Sequence, residues 1–294
     1  MSFQKRDMLG NKSPDTVVKY LRDIGYDEAA DRIVARGGSG QSMGSLWGED
    51  VWGYTGLLIG FIAPDAKGTN IPIEDAMALE PDSSLKNTRV KITLDRFWVH
   101  SYPGSGKHTI LCEFTGKNQI RGEAEELRFA LTTEARDRSS ASVSGSPIFL
   151  GVSVGQNGIS FEGRTVNVRS DKDEVLLAAL GSGPFRDGLS LLTTAQPALK
   201  PFVGLAGSLV TSVLSRNRNK EIYSFKLGLD FERSRTSARL RHGSFVVIQG
   251  NDSRWSWNDV VWNADAQQLV RQHDGSTLNY NYLVFRVSAY NENC

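Results

Sequence analysis

Between Gly188 and Ser215 a single charged side chain, Lys200, interrupts an otherwise uncharged run, and the sequence on either side is well charged and β-like. A run of this kind has to lie against other apolar surface, so it constrains everything around it. Pro197 and Pro201 divide it, because proline disfavours helical backbone in the residue before it and lacks an amide donor. The spacing predicts one helix over 184–195 and a second over 201–215, each opening on proline at a first-turn position. In the second helix Phe202, Leu205, Ala206, Leu209 and Val213 share one face, while Gly204, Ser208, Thr211, Ser212 and Ser215 form a seam of small residues. Two readings follow. The helix pair is buried as a bridge, or Phe202, Leu205, Leu209 and Val213 seek a membrane or a partner groove, since small-residue seams also serve helix contacts in lipid. The second helix has about fifteen residues where a span needs about twenty, which argues against a simple transmembrane anchor.

Upstream, Ser13, Pro14 and Asp15 make a capped helix start. Val17, Val18, Leu21 and Ile24 give the helix its stripe, and Gly25 ends it before a second helix over 27–36 carrying Ala30, Ile33 and Val34. The glycine-rich GGSGQSMGS at 37–45 reads as a flexible linker. A short helical piece on such a tether is either a recruitment or autoinhibitory module, or a helix pair docked on the body.

From Leu46 onward the strand signals sit at 51–63, 89–100, 109–114, 126–133, 147–154 and 159–168, then at 222–231, 244–249 and 280–289, with a bulge near Arg96 and a long polar loop over 64–87. Strands at this spacing with no helix between them favour antiparallel sheets. The expected fold is mainly β, a two-part antiparallel β-sandwich of C2-like or jelly-roll-like type, bridged by apolar helices and preceded by a helical hairpin; the same order also allows one larger sandwich with a helical insertion. The corresponding segments are a hairpin at 1–36, a linker at 37–45, a first β-sandwich at 46–181, a helical bridge at 182–219 and a second β region at 220–294.

A chain of 294 residues with 39% hydrophobic and 23% charged residues can bury a substantial core. Its net charge of +1 disfavours a dedicated nucleic-acid binder. The first residues lack the apolar core of a secretory signal, and two cysteines, Cys112 and Cys294, are too few for a disulfide framework. A cytosolic location, with peripheral membrane contact through the central helix, is the expectation.

Several constellations could carry chemistry. PGSGKHT at 103–109 resembles a phosphate-binding loop only in part: Ser101 stands where the first glycine belongs, His108 where a Ser or Thr belongs, and strands flank it on both sides. It reads as a hairpin turn. Asp171, Asp173 and Glu174 make a carboxylate-rich turn that could hold calcium, or simply cap the next helix. No other metal or cofactor is implied, and no Ser/His/Asp or Cys/His signature is present. Trp255, Trp257 and Trp262 form an aromatic patch suited to a sugar, a lipid interface or a protein. Arg216, Arg218, Lys220, Arg233 and Arg235 form a basic run suited to an anionic surface, or to protecting a sheet edge.

The leading functional expectation is a non-enzymatic intracellular interaction protein of effector-like organisation. Its hairpin recruits a protein partner and its body binds an anionic membrane or another protein. A second expectation is a self-assembling coat, tube or sheath subunit forming homo-oligomers. A third is a sugar-binding module or an unfamiliar enzyme built on the Trp255–Trp262 region, which requires a pocket where indoles converge with His or carboxylate groups.

Overall fold

The computed structural model describes residues 3–37, 47–120, 123–169, 173, 177–178, 180, 188–190, 196–232, 237–251 and 254–291. The chain starts with a helical hairpin, α1 (Pro14–Asp23) and α2 (Asp27–Gly37). The Thr16 amide donates to Ser13 Oγ at 3.4 Å, Pro14 occupies the first turn, and Gly25 adopts φ +73° to close α1.

Strands follow as β1 (Leu57–Ile62), β2 (Asn70–Pro72), β3 (Glu74–Asp75), β4 (Arg89–Val99), β5 (Lys107–Ile120) and β6 (Glu123–Arg136). Next come β7 (Ser139–Ser140), β8 (Ser146–Ser153), β9 (Ile159–Val168) and the two-residue β10 (Leu189–Ser190). After the helix α3 (Gln196–Leu214) the chain adds β11 (Lys220–Asp230), β12 (Ala238–Arg239), β13 (Gly243–Gln249), β14 (Val260–Asn263), β15 (Gln268–Arg271) and β16 (Asn281–Ala289).

These strands build three layers. The central sheet runs β10-β8-β4-β16-β13-β1-β3, with β7 also on β4; the facing sheet runs β12-β11-β9-β5-β6; a cap sheet runs β15-β14-β2. Every long pair is antiparallel, and the two parallel pairs involve only the short β10 and β12. Phe285 of the central sheet packs on Phe114, Phe161 and Phe225 of the facing sheet, with ring centroids 5.0–5.5 Å apart, and these rings mark the middle of the sandwich core. The other face of the central sheet carries Trp98, Val246, Ile248, Tyr282 and Val284, which the cap sheet covers with Ile71, Val260 and Leu269. Strand β13 therefore has apolar residues on both faces, which explains its unbroken FVVI run.

A mainly β protein with antiparallel sheets is what the sequence predicts. The sequence boundary at 182–219 is a break in local pattern, however, and strand pairing runs across it. β9 pairs with β11, and β4 pairs with β16, so strands from 46–181 and 220–294 share both large sheets. Of the helix expected over 184–195, the described residues Leu189 and Ser190 form a strand parallel to β8, and 184–187 and 191–195 lie outside the described residues. The second helix begins at Gln196 rather than Pro201 and runs through that proline.

Helix α3 lies against β6 and buries Ala206, Leu209, Val210 and Val213, while Leu205 is 44% exposed. Gly207 makes the close approach possible, because a Cβ there would collide with the Arg128 guanidinium. Arg128 and Arg164 both donate to Glu113, which is fully buried, and Arg164 also reaches Glu221 at 3.1 Å. The small seam faces outward. Ser208, Thr211 and Ser215 donate to carbonyls of their own helix, which satisfies the hydroxyls without a partner.

The hairpin is docked. Val17, Tyr20, Leu21, Ala29, Ala30 and Ile33 are buried in the same core as the sandwich, and Asn167 of β9 donates to the Tyr20 hydroxyl at 3.1 Å. Burial pushes the Tyr20 phenol up to about 12. The 37–45 linker lies outside the described residues except for Gly37, the last residue of α2.

Candidate functional site

The aromatic segment leads to the site. Trp255 and Trp257 meet edge to face with centroids 5.1 Å apart, and Trp255 meets Tyr280 at 5.7 Å, which in turn meets Tyr54 at 6.0 Å. Trp257 rests over Gly60, where a Cβ would lie 2.6 Å from its ring, so the glycine in β1 is the seat of that indole. At the Tyr280–Tyr54 end this string opens into a cup of about 510 Å³. Trp98, Tyr54 and Tyr280 supply aromatic wall, and Glu49, His100, Arg138, Arg271 and Asn279 supply polar groups.

Two buried carboxamides hold the cup together. Asn281 Oδ1 accepts from the amides of His100 (2.8 Å) and Ser101 (3.2 Å), and its Nδ2 donates to the Ser101 carbonyl and to Gln249 Oε1, both at 3.0 Å. Gln249 Nε2 then donates to the carbonyls of Trp52 (2.9 Å) and Tyr54 (2.7 Å). Two strand ends, β13 and β16, thus fix the turn after β4 and the turn before β1, which are opposite walls of the site. Arg138 sits at φ +57° in the β6–β7 turn, its amide bonded to the His100 carbonyl at 3.2 Å. The remaining wall is the β15–β16 loop, closed by the Arg271 amide on the Ser276 carbonyl at 2.8 Å.

The electrostatics are unusual for a surface. Among the described residues, the side chains of Glu49, His100, Arg138 and Arg271 form no hydrogen bond or ion pair with protein groups, although all four line the same cup. Burial lowers the His100 pKa from its ordinary value, and Arg138 adds repulsion against the charged ring, while Asp137 and Glu49 pull the other way. The imidazole is therefore neutral near pH 7. Two guanidiniums with planar donor forks and no partner among the described residues, a neutral imidazole and stacking faces suit an anion such as a carboxylate or phosphate carried on a flat ring.

The residues singled out in the sequence fall elsewhere in part. Trp262 does not join the Trp255–Trp257 pair; it lines a separate groove on the outer face of the central sheet. Leu209 and Val213 are buried under α3, Leu205 is exposed, and Phe202 lies within the same helix. Arg216 donates to Asp173 at 2.7 Å, Arg218 is exposed, and Lys220 is half-buried, with burial pushing its pKa down and Lys12 adding repulsion. Arg233 and Arg235 lie outside the described residues, as do Asp171 and Glu174. Asp173 is fully buried, and its two oxygens accept from Arg216 and from Asn219 Nδ2 at 2.6 Å. No cluster of three or more His, Cys, Asp or Glu placed to hold a metal ion occurs among the described residues, and no described helix is long and apolar enough to cross a membrane.

The PGSGKHT turn is built around a cation. Arg169 donates to the carbonyls of Pro103 (3.0 Å) and Ser105 (3.4 Å) and to His108 Nδ1 (2.7 Å), and His108 Nε2 contacts Asp137 at 2.9 Å. A phosphate loop turns amides inward, whereas this turn points carbonyls at an arginine, which is the opposite polarity. His100 and Arg138 give no signal of a site in the sequence, because Glu49 and Arg271, which line the same cup, lie far away in the chain. No known protein family, no curated protein and no solved structure matches the chain.

Proposed function

We propose that this chain is a non-enzymatic binding protein that captures a small organic anion on a flat ring in the cup between Arg138, Arg271 and the aromatic wall of Trp98, Tyr54 and Tyr280. The observation that carries this reading is the convergence of Arg138, Arg271, His100 and Glu49, whose side chains have no hydrogen-bond or ion-pair partner among the described residues, on one concave, aromatic-lined space. Charged side chains without partners are costly to hold near one another in a half-enclosed site, and a ligand anion relieves the repulsion between the guanidiniums. The burial of Leu209 and Val213 in the core favours a site at the aromatic end of the sandwich over one on α3. Titration with phenyl phosphate and benzoate, against phenol and benzamide, tests it through tryptophan fluorescence. The anions should bind and the neutral analogues should not. Arg138→Gln and Arg271→Gln should each weaken binding by about tenfold or more, the scale of one charge-assisted hydrogen bond. Failure of both anions to bind at millimolar concentration, or variants indistinguishable from the natural chain, would sink the reading.

A further inference from the structure

A second concavity, of about 740 Å³, lies where the cap sheet stops and leaves part of the central sheet's outer face uncovered. Along β4, Ile92, Leu94 and Phe97 point into the sandwich core, so Lys91 and Thr93 face outward. The β4–β16 register passes from Leu94 opposite Phe285 to Arg96 opposite Val284, which leaves Asp95 as an extra residue. That bulge brings Asp95 and Arg96 to the same outward face, a displacement an unbroken strand could not produce. On the neighbouring strands Ser244 lies opposite Arg286, and Arg286 opposite Thr93, so one polar row crosses three strands. Arg286 is held by Asp95 at 2.7 Å, and Thr93 also donates to Asp95. The guanidinium Nε of Arg96 and Nε2 of His242 are buried and have no hydrogen-bond partner among the described residues. Trp262 of β14 forms part of the wall.

We propose that this groove binds an acidic oligosaccharide. Lys91, Arg96 and Arg286 against the single carboxylate of Asp95 make the groove complementary to anions, and His242 adds an imidazole nitrogen that can hydrogen-bond a ligand. Trp262 offers one flat face for the apolar C–H side of a sugar ring, and Thr93, Ser244 and Ser288 offer hydroxyls to its equatorial groups. A single aromatic face does not suit single-stranded nucleic acid, whose successive bases need successive stacking platforms. A peptide strand has no edge to add to here, because β4, β13 and β16 are each paired on both sides.

Calorimetric titration of the full chain with a galacturonic acid trimer, a neutral galactose trimer and an oligothymidylate decides the matter. The acidic trimer should bind, the neutral trimer should bind at least about tenfold more weakly, and Arg96→Gln and Lys91→Gln should each lose about tenfold, as for other charge-assisted contacts. Trp262→Ala should lose binding as well, with a thermal melt confirming that it folds; the two charge variants carry the test if it does not. Arg138→Gln should bind the acidic trimer as the natural chain does, and loss of binding in that variant would move the ligand to the cup. Equal binding of the neutral trimer, tighter binding of the oligothymidylate, no binding of the acidic trimer, or indifference to Arg96→Gln and Lys91→Gln would overturn the proposal.

Discussion

His100 shows how one residue ties the cup to stability. Its ring is neutral in the folded chain because half-burial and Arg138 disfavour the charged form more strongly than Asp137 and Glu49 favour it. The folded pKa is therefore below the ordinary 6.5, and as pH falls the unfolded chain takes up the proton first. The stability contributed by neutral His100 is complete above about pH 6.5 and is lost as pH falls through the folded value. Thermal melts between about pH 8 and pH 5 should show a steeper loss for the natural chain than for His100→Gln, which has no proton to take up. Parallel curves would mean that the ring feels no such environment. A ligand anion in the cup reverses part of this effect by favouring the imidazolium, so binding should tighten on mild acidification. At this scale little of the site was legible from the chain. Trp255 and Trp257 announced an aromatic surface, but Glu49, His100, Arg138 and Arg271 carry no shared spacing, and only the fold makes them neighbours.

Among the elements, α3 separates what hydrophobic pattern can and cannot say. The stripe Phe202, Leu205, Ala206, Leu209 and Val213 was visible from spacing; Ala206, Leu209 and Val213 are buried, Leu205 is exposed, and Val210, outside the stripe, is buried as well, while the Phe202 side chain lies outside what is described. The small seam tells nothing of its own orientation, since glycine, serine and threonine are tolerated both against a close neighbour and in water. The prediction belongs to the helix as docked on β6. Leu209→Ala should cost about 2–5 kcal/mol in urea unfolding, as for a buried leucine truncated to alanine. Leu205→Lys should stay within about 0.5 kcal/mol. Similar costs for the two would mean that the helix sits on a different face, or leaves the sheet altogether. The β4 bulge was legible because Arg96 breaks the apolar alternation that resumes at Phe97. The cap-sheet strands β14 and β15 were not, because four-residue strands hold too few turns of a two-residue pattern to stand out from a loop.

For the whole molecule, the central question is what counts as a folding unit. Local pattern divides the chain at 182–219, yet each large sheet needs strands from both sides of that stretch. β9 pairs with β11, β4 with β16 and β1 with β13, so a fragment ending at 181 would leave β1, β4 and β9 each without a neighbour on one side and would uncover Phe114 and Phe161, which Phe285 covers in the whole chain. Local pattern does not reveal this, because pairing partners far apart in the chain, as Asn167 and Lys220 or Val90 and Ala289 are, leave no periodic signal in either strand. The hairpin joins the same unit through Tyr20 and Asn167. The chain should therefore unfold in one cooperative transition, with fluorescence and circular dichroism superimposing. Fragments 1–181 and 182–294 expressed separately should aggregate or remain unfolded, and the two co-expressed should associate into a complex with the melting behaviour of a β protein, since the β9–β11 and β4–β16 pairings can form between chains as well as within one. A soluble, cooperatively folding 1–181 fragment would show that the sequence boundary is a domain boundary after all, and the shared sheets would then be an interface between two bodies rather than one core.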